Sequence, residues 1–208
     1  MDAHLSTLFF KASLVGLLIA APVGPIGLLT IQRTLDRGLA VGLATGLGAA
    51  FADALYGALG AFGVTQVTAW LAGARTWLGL GGGAMLLWMA ARTFVQPPAV
   101  HAAALPTRAD LARCFAGTFL LTLSNPATIL SFLAVFASMA GATMTTASAV
   151  PMVLGVLAGS AAWWVGLTLV VTRWRHRFDA TWRRRINRLS ALLLAAFALW
   201  QWARVLSV

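Results

Sequence analysis

Ala21-Pro22-Val23-Gly24-Pro25-Ile26-Gly27 lies in the middle of an apolar run from Phe9 to Ile31. A run of about 20 apolar residues is what a helix needs to cross a hydrocarbon core of roughly 30 Å, yet this one is interrupted by two prolines and two glycines. Proline has no amide proton and its ring clashes with the preceding turn, so the helix is expected to break or kink strongly near the midplane. Ser124-Asn125-Pro126 repeats the device inside a second apolar run, Phe115 to Ala137, where Asn125 adds a polar side chain beside the break. Interruptions at matching places in two halves of a chain point to a binding site of the transporter kind.

The rest of the chain supports a membrane reading. Of 208 residues, 60% are hydrophobic and only 10% charged, against about 25% charged in soluble domains, and the mean hydropathy is +0.85. Six spans are expected: Phe9 to Ile31, Val41 to Gly63, Trp77 to Ala91, Phe115 to Ala137, Ala149 to Thr172 and Leu189 to Leu206. None shows the two-residue alternation of a barrel strand, so the fold class is an all-α integral membrane protein. Gln96-Pro97-Pro98 opens the linker between the third and fourth spans. One transporter domain over residues 1–208 then divides into repeat one (9–91), a linker (92–114) and repeat two (115–206). Three helices per half put the second half into the membrane the other way up, giving six helices as two inverted repeats whose breaks meet near the centre.

Charge sets the orientation. Fourteen arginines and one lysine face five aspartates and no glutamate, a net charge of +10. Arg33 and Arg37, Arg92, Arg108 and Arg113, and the seven arginines between Arg173 and Arg188 all fall on one side, leaving Lys11, Arg75 and Arg204 on the other. The positive-inside rule places both termini outside. The basic run around Arg173-Trp174-Arg175 and Arg183-Arg184-Arg185 reads as a loop anchoring the protein at anionic lipid, with Trp174 and Trp182 at the interface, and not as a nucleic-acid surface. Lys11 within the first apolar stretch, and the membrane-like sequence after it, argue for a first span over a cleaved signal peptide.

Asp53 is the outlier, in Gly48-Ala49-Ala50-Phe51-Ala52-Asp53-Ala54-Leu55-Tyr56-Gly57. An acid at a helix centre costs about 2.5–3.5 kcal/mol on insertion scales, so it is expected to face the interior and to serve a purpose. It can bind a cationic amine, take up a proton, or alternate between the two; the plainer alternative is a packing bond to a neighbouring hydroxyl or amide. Tyr56, on the same helical face, is its natural hydrogen-bonding neighbour. Trp163 and Trp164 lie too deep for an interfacial belt, and they either wall a cavity for an ammonium group or pack. Gly38, Gly42 and Gly46, with Gly48 behind them, and the pair Gly155 and Gly159 read as close helix packing. Gly79 to Gly83 does the same, since no Lys-Ser or Lys-Thr follows to make a phosphate loop.

Pro22-Val23-Gly24-Pro25, Gln32-Arg33, the ladder Gly38, Gly42 and Gly46, Asp53, Tyr56-Gly57 and Asn125-Pro126 together resemble the LysE/RhtB family of amino acid exporters, in order and over essentially the whole chain. The resemblance implies export of amino acids or close derivatives from a bacterial cytoplasm across the inner membrane, driven by protons and without a cofactor. It also implies that Pro22, Gly24, Pro25, Asp53, Asn125 and Pro126 line a central site. Members often carry lysine after the Asn-Pro pair, whereas Ala127 stands here, so a cation at that point is lacking.

The spans hold one acid, because Asp2, Asp36, Asp110 and Asp179 fall outside them. A dibasic substrate would seek two carboxylates, so neutral amino acids such as homoserine, threonine or leucine are expected, with basic amino acids or another small cation as the alternative. Other classes fare worse. Cys114 is the sole cysteine and cannot supply a thiol pair or a thiolate metal cluster; His4, His101 and His176 lie outside the spans, which leaves a membrane hydrolase without a base. A metal exporter would want clustered His, Cys or carboxylates. The expected partners are an amino acid, protons and membrane lipids; the oligomeric state stays open, a homo-oligomer included.

Overall fold

A computed structural model describes residues 2–22, 24–61, 75–95, 105–125, 128–129, 131–132, 146–174, 177 and 180–206. Among these residues the chain forms seven long helices and no strand: α1 (Asp2–Ala20), α2 (Pro25–Arg37), α3 (Leu39–Ala61), α4 (Arg75–Val95), α5 (Arg108–Leu123), α6 (Thr146–Trp174) and α7 (Ala180–Leu206). By length and composition α3 and residues 148–174 of α6 can each cross a membrane, and α1 with α2 passes the same test as a pair bent by 80°. The first expected span is therefore two helices at a corner. Pro126, the Gln96-Pro97-Pro98 linker start and most of the fourth run beyond Asn125 lie outside the described residues.

The corner follows from its residues. Neither Pro22 nor Pro25 can donate to the carbonyls four residues earlier, those of Leu18 and Ala21. Gly24 then caps α2 in an extended conformation, with Pro25 at the first helical position, where a missing N–H costs nothing. At the other end of α2, Gly38 has φ of +90°, donates to Thr34 O at 3.0 Å and accepts from Gly42 N at 3.2 Å. A single residue thus ends one helix and begins the next, in a conformation open to glycine alone at low cost. Gly38 is a corner and not a rung of the packing ladder expected from its spacing.

Two further differences concern arginines. Arg33 and Arg37 belong to the last turns of α2 instead of a loop, and α7 begins nine residues before Leu189, so that Arg184, Arg185 and Arg188 ride on its first turns. Arginine is a good helix former, and the pattern there is one-sided, with Asn187 and Ser190 buried between exposed arginines. Arg185 lies over the Trp182 ring at 5.6 Å.

Glycines set the packing. An added Cβ at Gly155 or Gly159 would run into the carbonyls of Phe9 and Ser13, so α1 and α6 lie parallel with backbones in contact. Gly48 meets the backbone of Phe115 in the same way, and eight residues on Tyr56 reaches Leu123, so α3 runs parallel to α5. Between α3 and α6, Gly42 faces Thr168, Gly46 faces Trp164 and Gly57 faces Val156, an antiparallel pairing. α4 pairs with α7, where Trp202 Nε1 donates to Leu80 O at 3.1 Å. Leu14, Leu18, Leu154, Leu169, Leu192 and Leu199 point outwards while Thr30, Thr34, Thr45, Thr118 and Thr168 are buried. Each of those threonines donates to the carbonyl four residues back in its own helix, which satisfies the hydroxyl without water. An apolar exterior around satisfied polar groups is the arrangement lipid demands.

Candidate functional site

The two interruptions share one backbone register. In the first, Gly24 O accepts from Leu28 N at 3.1 Å; in the second, Asn125 O accepts from Ile129 N at 3.1 Å, and each acceptor precedes a proline. Asn125 N also bonds Thr122 O at 3.1 Å, tightening the end of α5. Pro25 and Asn125, with Ile26, Leu121 and Ser124 beside them, line one small cavity of about 10 Å³. The amides of Ile26 and Gly27 have no helical carbonyl to bond, because they open α2, and the positive end of that helix is aimed at the break. Pro22 is exposed at the corner.

Asp53 is 3% exposed, in the α3–α6 interface, where it accepts a 2.7 Å hydrogen bond at Oδ2 from Ser160 Oγ, itself fully buried. The expected partner, Tyr56, does something else. Its hydroxyl donates to Leu123 O at 2.6 Å, and its ring stacks on Phe132 with centroids 5.6 Å apart. In an uninterrupted helix Leu123 O would receive the amide four residues on; at the end of α5 it takes the tyrosine instead. So Tyr56 ties α3 to the second break, one turn from Asp53. One turn to the other side, Ala49 and Ala50 share a core with Ala20 and Ile26, which flank the first break. Trp164 is buried in that core over Gly46 and Trp163 packs against it, and neither lines this cavity or the larger one described next.

Sequence reasoning missed Ser160, although a serine between apolar residues of a span is a signal of the same kind as Asp53. It also missed a cavity of about 520 Å³ at the arginine-rich end, lined by Arg33, Arg37, Arg92 and Arg113 together with Asp36 and Asp110. Arg33 Nη1 is held by Thr45 Oγ1 and Thr118 Oγ1, each at 3.2 Å, and by Cys114 O at 3.5 Å. Asn187 Nδ2 reaches Asp36 Oδ2 at 3.5 Å, so the start of α7 stands at this end too. Arginines from three separate connections therefore gather at one end of the bundle. Among the described residues no group of His, Cys, Asp and Glu is placed to hold a metal ion.

The LysE type translocator family model matches residues 17–201, a stretch that contains both breaks, Asp53 and Ser160. The chain belongs to this family. It is accordingly a membrane translocator and not an enzyme. A Bacillus subtilis (strain 168) protein, YcgF, whose name marks it as a candidate amino acid efflux protein, is 26% identical over 196 residues, covering 91% of this chain and 92% of its own. No solved structure matches the chain.

Proposed function

We propose that this LysE-type translocator exports amino acids from the bacterial cytoplasm in exchange for protons, with neutral amino acids of the homoserine, threonine or leucine kind as substrates. The observation that carries the reading is the meeting of the two breaks: Pro25 and Asn125 wall one cavity, while Tyr56, one turn from Asp53 on α3, bonds Leu123 O at the second break. Backbone groups released at a discontinuous helix suit a zwitterion, amides at the helix start for the carboxylate and an acid for the amine.

The inverted repeat of residues 9–91 and 115–206 finds support in which helices pack together. A two-fold relating the halves would exchange the broken first span with the broken fourth, α3 with α6, and α4 with α7. It would then carry the α1–α6 contact onto the α3–α5 contact, both of them parallel, and return the α3–α6 and α4–α7 pairs to themselves. Asp53 and Ser160 sit on that self-paired interface. The gathered arginines support an inward-facing end at Arg33, Arg92 and Asn187, and thus both termini outside the inner membrane.

Cytoplasmic substrate enters between the halves, its amine approaches Asp53 and its carboxylate meets the amides of Ile26 and Gly27. A proton from outside neutralises Asp53 and displaces the amine, after which the halves rock back. Asp53→Asn keeps an oxygen to accept from Ser160 but cannot exchange a proton for an amine. In proteoliposomes the variant should lose export driven by an imposed pH gradient, by about tenfold or more, while substrate counterflow persists; full gradient-driven export in Asp53→Asn would end the coupling role. Cells overproducing the protein and fed dipeptides should release the substrate amino acid, which identifies it.

A further inference from the structure

The large cavity at the arginine-rich end is not used by the mechanism above, and its chemistry is specific. Arg33 stands on the last turns of α2 with its guanidinium partly buried. Its three hydrogen-bond partners are two threonine hydroxyls and a carbonyl, all neutral and all on Nη1. Nε and Nη2, the edge that matches a carboxylate in two parallel bonds, have no partner among the described residues. The threonines are themselves fully buried and come from α3 and α5, so the fork is held from two sides before any ligand arrives.

The cavity's own acids each hold a hydrogen-bond donor of their own. Asp110 accepts the amide and the hydroxyl of Thr107, at 3.1 and 2.6 Å, and Asp36 is bonded by Asn187. Arg37, Arg92 and Arg113 line the same space, and Asp110 lies within the field of Arg113 and Arg37, so four guanidinium groups face two carboxylates and positive charge stays in surplus. A partly buried cation whose direct partners are all neutral is costly, and a site with surplus positive charge and a volume of about 520 Å³ fits a small anion within the usual range of ligand pockets. Leu29, Met85 and Met89 supply an apolar wall for the remainder of such a molecule. Arg33 lies eight residues beyond Pro25 on the same helix, about 12 Å along its axis.

We infer that this vestibule is an entry subsite in which the fork of Arg33 captures the carboxylate of the outgoing amino acid before it moves along α2 to the broken-helix centre. The inference rests on the export reading for the identity of its ligand. It makes Arg33 a specificity-determining residue: an amino acid should enter and its amide should not.

The test uses purified full-length protein in detergent and four acid–amide pairs: glycine, threonine, leucine and lysine, each against its carboxamide, with inorganic phosphate as the control for charge alone. At least one acid should raise the thermal midpoint of the wild type where its amide and phosphate do not. Arg33→Gln should abolish that difference and, in proteoliposomes, weaken the apparent affinity for the exported amino acid roughly tenfold or more. If Arg33→Gln does not fold, the acid–amide comparison on the wild type stands by itself. The subsite is overturned if no acid outperforms its amide, if phosphate stabilises as well as the acids, or if Arg33→Gln keeps full discrimination. Transport without acid–amide discrimination removes the subsite and leaves export intact, whereas discrimination without transport removes the export reading and leaves a carboxylate site.

Discussion

Asp53 and Tyr56 show what can and cannot be read at the level of one residue. That a lone acid within a span turns inwards follows from the cost of exposing it to lipid, and Asp53 is buried. Its partner was not legible: sequence proximity favoured Tyr56, but the partner is Ser160, 107 residues away, because contacts across helices depend on which faces meet. Tyr56 instead serves the carbonyl left over at the end of α5. Tyr56→Phe would leave Leu123 O, in a part-buried site, without that donor, a loss of about 1 kcal/mol. The expected outcome is a lower midpoint of thermal unfolding in detergent with the helix content unchanged by circular dichroism. Arg33 was visible as a positive charge for counting sides and as half of the Gln32-Arg33 pair, with no role of its own; that its guanidinium is held by Thr45 and Thr118 depends on α2 turning a corner at Gly38.

At the scale of elements, proline chemistry made the two breaks legible, and the first is realised as an 80° corner. Helix ends were read less well. The arginines at 184, 185 and 188 suggest a loop if charge is equated with loop, but arginine continues a helix readily and α7 takes them in. The start of α5 is set by a reciprocal cap: Thr107 Oγ1 accepts from Asp110 N at 3.2 Å while the Asp110 carboxylate accepts from Thr107 N and Oγ1. The Thr107 hydroxyl first, and then its amide, hold the Asp110 carboxyl below the usual carboxylate range. A depressed pKa means that the cap contributes fully at neutral pH, above the ordinary carboxylate value, and is lost as pH falls through the lowered one. Asp110→Asn should therefore flatten the acid side of the stability profile, measured as thermal midpoints between pH 7 and pH 3. Glycine spacing correctly signalled close packing at Gly155 and Gly159. Gly159→Val would force α1 off α6, since a Cβ there meets the Ser13 backbone. It should cost several kcal/mol, of the order of a severe overpacking, and be seen as loss of monodisperse protein on extraction, whereas Gly166→Ala, with open space at its Cβ, should behave as wild type.

At the scale of the whole molecule, composition with the length and pattern of the apolar runs made a helical membrane protein legible, and the count of arginines by side anticipated that three connections would gather at one end. Which helix packs on which was not legible, because the spans are alike in hydropathy and their partners are chosen by glycine faces and buried threonines. The orientation has a direct test. In a Cys114→Ser background, a cysteine at exposed Thr76 should react with an impermeant maleimide added to intact cells, and one at exposed Thr107 should react only in inverted membranes. The opposite pattern would reverse the assignment of both termini.

The contact between α1 and α6 also fixes the order of assembly. Phe9 and Gly155, whose backbones touch, are separated by 146 residues, and translation at about 5–20 residues per second takes roughly 7–30 s to cover that distance. α1 thus leaves the ribosome long before α6 arrives to seat it. Until then it must wait in the bilayer as a single strand of the bundle, with the unfinished protein held open along the side that α6 will close.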